Sequence, residues 1–306
     1  MSRSIKPPKH LADIVVTIHI PVLPIEVLEG MNPKPGDLVV DGTLGGGGHT
    51  RKLLDLIGPT GRLIAFDRDL SAIEETRERI PDENAEFLHA NYADMPELLR
   101  QMDIEAVDSI LLDLGLSSDQ LADRDRGFSF QSDGPLDLRF NPLAGESAMK
   151  LVNRLSEKHL ADLIYEFGEE RMSRRIARKI VRLRHDNPIK SASQLASIVR
   201  SCIPRTKHQT IDGATRTFQA LRIAVNDELK WLKEAMKRLP DLLKPNGRLA
   251  VISFHSLEDR IVKQAMNAHQ HVNVLTKKPI QASEAELHEN PRSRSAKLRV
   301  CERRAD

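Results

Sequence analysis

The sequence predicts an α/β protein whose doubly wound sheet is interrupted by an inserted, mostly helical domain. Three observations carry that expectation. Short runs rich in Val, Ile and Leu alternate with helix-length amphipathic segments, a glycine-rich turn follows the first run, and the alternation lapses after Gly115 to resume only near Phe218. Aliphatic runs of this kind, bounded by turn residues, are strands buried on both faces. Strands that alternate with helices make βαβ units, hence parallel pairing with helices on both sides of the sheet.

Residues 38–40 form the first strand, and the turn Asp41-Gly42-Thr43-Leu44-Gly45-Gly46-Gly47-Gly48-His49 leads into a helix over 49–57. A second strand at 62–66 precedes a helix over 70–80, where Leu70, Ile73, Arg77 and Ile80 have helical spacing, and further strands follow at 85–89 and 107–112. The stretch 127–142, rich in Gly, Pro, Asp and Phe, is expected as an ordered loop, and 151–200 carries helical patterning. Phe218, Leu221, Val225, Leu229 and Leu232 then mark an amphipathic helical stripe. Strands at 248–252 and 297–301 complete the sheet. The expected division is 1–115 and 217–306 for the two parts of the sheet domain, and 116–216 for the insertion.

A length of 306 residues, 40% hydrophobic and 29% charged, fits a globular chain and excludes a disordered or fibrous one. Net charge is only +2, but residues 171–222 hold thirteen Lys/Arg against two acids, Asp186 and Asp212, a local +11 that leaves −9 for the rest. An acidic body with a basic module points to a polyanionic partner. Within that module Met172, Ile176, Ile180 and Leu183 share one helix face and leave Arg171, Arg174, Arg175, Arg178 and Arg182 on another. Cys202 and Cys301 lie far apart outside any CxxC spacing, which argues against a disulfide scaffold or zinc finger. The apolar run 14–20 is broken by Thr17 and His19 and followed by Pro21 and Pro24, so no signal peptide is expected. No stretch reaches the roughly 20 apolar residues of a membrane span. A cytoplasmic protein without membrane partners is expected, with monomer and homodimer both open.

Glycines between a strand and a helix let backbone approach a ligand closely. The spacing here does not match the dinucleotide fingerprint, and no GxxxxGK[ST] appears. The remaining common occupant of such a turn is S-adenosylmethionine, whose ribose hydroxyls call for an acid at the end of the second strand. Asp67 is placed for that role, whereas Asp69 is the better cap for the following helix. Asp113, at the end of the fourth strand, is expected beside the cofactor's reactive methyl group, or alternatively as a turn cap. The fifth strand ends in Ser253-Phe254-His255-Ser256-Leu257-Glu258-Asp259-Arg260, a polar cluster where substrate commonly lies, which makes His255 a catalytic candidate alongside Asp113. His255 and Glu258 alone are too few ligands for a metal, and none is expected.

These residues together resemble a known family, the bacterial ribosomal small-subunit RNA cytosine-N4 methyltransferases. The resemblance spans nearly the whole chain: residues 19–23, the glycine turn, Asp67-Arg68-Asp69, 112–120, Arg126-Gly127-Phe128-Ser129-Phe130, and Gly134-Pro135-Leu136-Asp137-Leu138-Arg139. It continues through 168–171, 214–222, 253–263 and Asn290-Pro291-Arg292-Ser293-Arg294-Ser295. Pro24, Leu138, Phe140 and Tyr92 depart from the family pattern by apolar or aromatic exchanges, and residues 1–13 lie outside it. The resemblance implies a class I (Rossmann-like) methyltransferase sheet that binds S-adenosyl-L-methionine through Gly47, Gly48, His49, Asp67, Tyr92, Asp113 and Gln120. Its implied substrate is a decoding-centre cytidine of 16S ribosomal RNA within the small subunit.

Methyl transfer from a sulfonium is an in-line displacement, so positioning supplies most of the rate. The exocyclic amine of cytosine is a poor nucleophile, and a hydrogen-bond acceptor such as Asp113 or a backbone carbonyl favours its reacting geometry. Carbon-5 methylation instead requires a cysteine nucleophile, and neither cysteine follows a strand near the glycine turn. The inventory thus favours nitrogen or oxygen as acceptor; nitrogen itself is what the resemblance implies. A base must be unstacked to be reached, and an RNA loop supplies it cheaply. Phe128 and Phe130 are candidates to stack on that base or to pack the core. Arg139, Arg171, Arg174, Arg175, Arg178, Arg216, Arg292 and Arg294 are candidate RNA contacts. Two other readings compete: a small-molecule methyltransferase with a basic folding element, and a non-enzymatic, cofactor-sensing RNA-binding protein.

Counterion release separates the first of these from an RNA enzyme. If the basic module grips six or more phosphates, affinity for small-subunit RNA falls by about 1,000-fold or more between roughly 50 and 200 mM salt. A flat response in a filter-binding titration would remove the module from RNA binding.

Overall fold

In a computed structural model, residues 20–130, 133–204 and 212–305 are described. Residues 1–13, the apolar run as far as His19, and Arg205 and Lys207 of the basic module lie outside the described residues. Seven strands form one sheet: β1 (Leu38–Asp41), β2 (Arg62–Asp67), β3 (Ala85–His89), β4 (Val107–Asp113), β5 (Leu243–Ser253), β6 (Val272–Val274) and β7 (Lys297–Arg303). The spatial order is β3-β2-β1-β4-β5-β7-β6. Strands β1 to β5 pair in parallel, whereas β7 runs antiparallel to both β5 and β6. The sheet is therefore mixed, which corrects the expectation of a parallel one. Strand β6 is three residues, Val-Asn-Val, too short to show a pattern, and the hairpin it makes with β7 reverses the last strand.

Four helices precede the insertion: α1 (Pro24–Met31), α2 (Gly48–Ile57), α3 (Leu70–Arg79) and α4 (Met95–Gln101). The interposed stretch carries α5 (Ser118–Ala122), α6 (Ala148–Arg154), α7 (Glu157–Gly168), α8 (Ser173–Asp186) and α9 (Ala192–Arg200). After it come α10 (Thr215–Asn226), α11 (Glu228–Arg238), α12 (Ser256–Ala268) and α13 (Glu284–Glu289). Strand residues alternate between two cores, as a period of two requires. Val40, Ile64, Phe66, Ile110 and Leu112 face one side with Leu232 and Met236, while Val39, Leu63, Ala65 and Leu111 face the other with Leu53 and Ile57. A third core joins Leu136, Val152, Leu160, Ile164, Ile176, Ile180, Leu195 and Val199 within the insertion.

The apolar stripe from Phe218 to Leu232 divides between two helices. Asp227 adopts a left-handed conformation (φ 53°) between α10 and α11, a state that Asn and Asp tolerate better than most residues. Phe218 and Leu221 consequently enter the insertion core, and Leu232 enters the sheet core. Helix α10 starts at Thr215, so position 216 lies inside a helix that packs on α7. In α8 the inward face is Ile176, Ala177 and Ile180; Met172 and Leu183 are exposed, which narrows the expected apolar face, and Arg174, Arg175, Arg178 and Arg182 line the outside. Among the described residues, no helix is long and apolar enough to cross a membrane.

Candidate active site

The register of the parallel strands brings three acids to one edge. Asp41 ends β1, Asp67 ends β2 and Asp113 ends β4, and in the pairing Asp41 lies opposite Ala65 and Leu111. Ligands of parallel sheets bind beyond this carboxyl edge. A cleft opens there, lined by Thr43, Gly45, Gly48, His49, Asp67, Arg68, Tyr92, Asp113, Gln120, Phe140, Glu228 and Glu258, among others.

Asp41 is fully buried and shapes the glycine turn: its carboxylate accepts from the Thr50 hydroxyl at 2.7 Å and from the Thr43 amide at 3.0 Å. Burial pushes its pKa up against those bonds. The turn is tight enough to demand glycine where it meets its neighbours. A Cβ on Gly42 would lie 2.4 Å from Leu112 Cδ2, and one on Gly47 (φ 75°) would lie 2.6 Å from Thr76 Cγ2. Gly47 thus packs against α3 and is not among the residues that line the cleft, whereas Gly48 and His49 are.

Asp67 accepts from the Gly45 and Asp69 amides, each at 2.8 Å, and burial pushes its pKa up to about 6 in spite of them. Asp69 caps α3 through the Ser71 amide, so the cap and the cleft acid are separate residues, as expected. Its second oxygen accepts from Gln120 Nε2 and Arg126 Nη1, both at 3.0 Å. Gln120 lines the cleft, yet its amide also closes a capping box on α5 with Ser117.

Asp113 is held by its backbone, whose amide donates to Thr43 Oγ1 at 2.6 Å. One carboxylate oxygen lies 3.7 Å from His49 Nε2, and the other is buried with no hydrogen-bond partner among the described residues. Burial, reinforced by the charges of Asp41 and Glu258, holds its pKa well above the usual carboxylate range. Tyr92 stands nearby; burial first, then Glu228 and Glu258, raise its pKa, so the ring stays neutral. Glu228 forms two 2.9 Å bonds with Arg222.

His255 does not line the cleft, which corrects its expected place. It caps α12, with Nδ1 accepting from the Glu258 amide at 3.4 Å and Nε2 lying 3.2 Å from Glu258 Oε1. Glu258, one turn further on, is the residue that reaches the cleft. Burial raises its pKa, but His255 and Arg222 outweigh that and the net shift is downward. Sequence reasoning placed Glu258 in a polar cluster without a role. It missed Glu228, which carries no local signal because it becomes a site residue only through the break at Asp227.

The insertion covers the cleft with a strap around Leu138 and Phe140. Asn226 Oδ1 accepts from the Phe140 amide and Nδ2 donates to the Leu138 carbonyl, both at 2.7 Å. Arg126 Nη2 donates to the carbonyls of Arg139 and Phe140 at 2.9 and 2.7 Å. Phe128 is buried beneath this strap, with the Phe140 ring centroid 5.8 Å away, which places it in the core, one of the two roles left open for it. Phe130 is half-buried against Phe218. Arg139 is paired with Asp137 at 2.7 Å, while Arg171, Arg174, Arg175, Arg178, Arg216, Arg292 and Arg294 are all exposed. Arg292 reaches Ser118 at the start of α5, beside the cleft.

Four acids and one arginine among the lining residues make the cleft anionic. It would repel a triphosphate or pyrophosphate and attract a cation. Asp67 offers acceptors for vicinal hydroxyls, and the unpartnered oxygen of Asp113 suits an ammonium. Both match S-adenosylmethionine, whose sulfonium and amine are positive. Donor atoms of Glu228, His255 and Glu258 lie within 4.8 Å of one another, but the bidentate Arg222 already supplies the cation there. Asp241, His269 and His271 make a similar group outside the cleft. Cys202 and Cys301 are buried in the insertion and sheet cores, and burial pushes the Cys301 thiol up to about 12.

A model of the MraW methylase family matches residues 16–304. Ribosomal RNA small subunit methyltransferase H of Syntrophotalea carbinolica is 48% identical over 306 aligned residues, covering 93% of this chain and 98% of its own. Its namesake in Rhodopirellula baltica is 48% identical over 298 residues, covering 94% of this chain and 92% of its own. The namesake in Deinococcus radiodurans is 51% identical over 288 residues, covering 94% and 90%.

The strap generates a direct expectation. Asn226→Ala leaves the Phe140 amide and Leu138 carbonyl without their partner, and should cost about 1–3 kcal/mol of stability, read as a lower urea midpoint at unchanged m-value. A midpoint within error of the parent would show that the strap is held by other contacts.

Proposed function

Because the chain belongs to the MraW methylase family, we propose that it transfers a methyl group from S-adenosyl-L-methionine to a decoding-centre cytidine of 16S ribosomal RNA. The acceptor is the exocyclic N4 amine, on cytidine 1402 in the family. The observation that carries the reading is the anionic cleft at the carboxyl edge of the sheet, with the buried acids Asp67 and Asp113 at the ends of the two strands that flank β1. That cleft fits a cationic cosubstrate and no phosphate-bearing one.

When bound, the cofactor supplies a methyl group already activated on sulfur. The chain's own residues do the rest by orientation and exclusion of water. Asp67 takes the ribose hydroxyls, and Gly48 and His49 at the start of α2 approach the amino-acid end. Asp113 takes the ammonium, which restores its ionised form. Tyr92, Leu114 and Leu116 wall the apolar part of the cleft, and Gln120 braces the turn from the other side. Residues 116–216 serve as the substrate-recognition domain, with Arg171, Arg174, Arg175, Arg178 and Arg216, together with Arg292 and Arg294 beyond it, as phosphate contacts. The substrate is the RNA within a small subunit, and the enzyme acts in the cytoplasm.

Incubation with methyl-labelled cofactor and small subunits that lack the modification, followed by nucleoside analysis, tests this reading. Label is expected in N4-methylcytidine. Label in 5-methylcytidine or a ribose-methylated nucleoside would overturn the nitrogen assignment.

A further inference from the structure

We propose that Glu258 is a catalytic residue: its carboxylate accepts a hydrogen bond, and then the proton, from the target amine, with His255 and Arg222 as positioning residues behind it. The inference rests on the cytosine-amine reading above and identifies which acid serves it.

Four acids line the cleft, and their surroundings separate them. Glu228 has both oxygens committed to Arg222 Nε and Nη2 at 2.9 Å. Asp67 is tied to two backbone amides at the end of β2. Asp113, in the reading above, is committed to the cofactor's ammonium, and its other oxygen lies 3.7 Å from His49 Nε2. Glu258 remains. Its Oε2 accepts from the Phe254 amide at 2.9 Å and the His255 amide at 3.4 Å, and its Oε1 lies 3.2 Å from His255 Nε2. A carboxylate offers about four acceptor positions, so those contacts fix the group and leave capacity toward the cleft it lines.

The charges around Glu258 come from every element that packs on it. His255 lies on its own helix, Arg222 on α10, Glu228 on α11, Asp113 at the end of β4, and the neutral Tyr92 in the turn before α4. Burial opposes ionisation; His255, Arg222 and the Phe254 amide override it. His255 therefore acts through Glu258, and its cap on α12 keeps it out of the cleft. In the step itself the N4 lone pair forms the nitrogen–carbon bond, and the carbon–sulfur bond breaks with its electrons left on sulfur. One N4–H proton passes to the Glu258 carboxylate, so charge balances with no further reactant.

The test compares Glu258→Gln and His255→Asn in the full chain, by calorimetric affinity for S-adenosylhomocysteine and single-turnover methylation of small subunits from pH 5.5 to 8.5. Glu258→Gln should keep cofactor-product affinity within about threefold and lose on the order of 100-fold in rate. His255→Asn retains a helix cap but removes the largest influence offsetting burial. Without it the Glu258 carboxyl must titrate at higher pH than in the parent, so the variant's rate–pH profile should be displaced toward higher pH relative to the parent's. A Glu258→Gln rate within threefold of the parent overturns the proposal. If Glu258→Gln does not fold, the His255→Asn profile decides, and a profile that coincides with the parent's overturns it. Parent enzyme that labels a different nucleoside would instead refute the cytosine-amine reading itself.

Discussion

Burying carboxylates at the carboxyl edge of a parallel sheet is the constraint around which this molecule is arranged. The register that builds the sheet forces Asp41, Asp67 and Asp113 to neighbouring strand ends, and each ionised acid removed from water costs several kcal/mol unless donors replace its hydration. The donors are distributed unevenly. Asp41 has two threonines, Asp67 has two backbone amides, and Asp69 has Gln120 and Arg126. Asp113 alone keeps a buried oxygen without a hydrogen bond among the described residues. The unmet demand sits where a positive ligand has to bind, so the site stores its specificity in an electrostatic deficit that phosphate-bearing nucleotides cannot relieve.

The same demand joins the insertion to the sheet. Arg126 leaves the insertion to pair with Asp69 and, with its other nitrogen, holds the carbonyls of the strap over the cleft. Asn226 holds that strap from α10, and its own carbonyl accepts from Arg68, which lines the cleft. The insertion, with its basic outer face, is thus wired to the cleft through a few buried polar contacts. On the opposite side Glu169, left-handed at the end of α7, reaches Ser256 and Arg260 on α12. The insertion grips both flanks of the site it covers.

Much of this was legible in the sequence, and the reasons for success and failure are physical. The strands at 38–40, 62–66, 85–89 and 107–112 were visible because both faces are buried and the runs are aliphatic. The glycine turn was visible because backbone crowding at Gly42 and Gly47 leaves no room for a side chain. The break at Asp227 was not, since a stripe with helical spacing continues across it and only tertiary structure shows that its two halves face different cores. His255 was misplaced, and the role of Phe128 left open, for a related reason. Composition identifies a polar or aromatic cluster, but which member faces the cleft depends on a cap or a strap that residues distant in sequence complete. Glu228 depends entirely on that break and was invisible.

The central claim is that Asp113, whose carboxyl burial pushes toward its neutral form, is ionised when a cationic cosubstrate binds. Calorimetry of S-adenosylmethionine binding at pH 6.5, repeated in buffers of different ionisation enthalpy, counts the protons exchanged. Net proton release in the parent, reduced in Asp113→Asn, is expected, because a carboxyl raised by burial gives up its proton to pair with the ligand's positive charge. Equal proton exchange in the parent and the variant would contradict it.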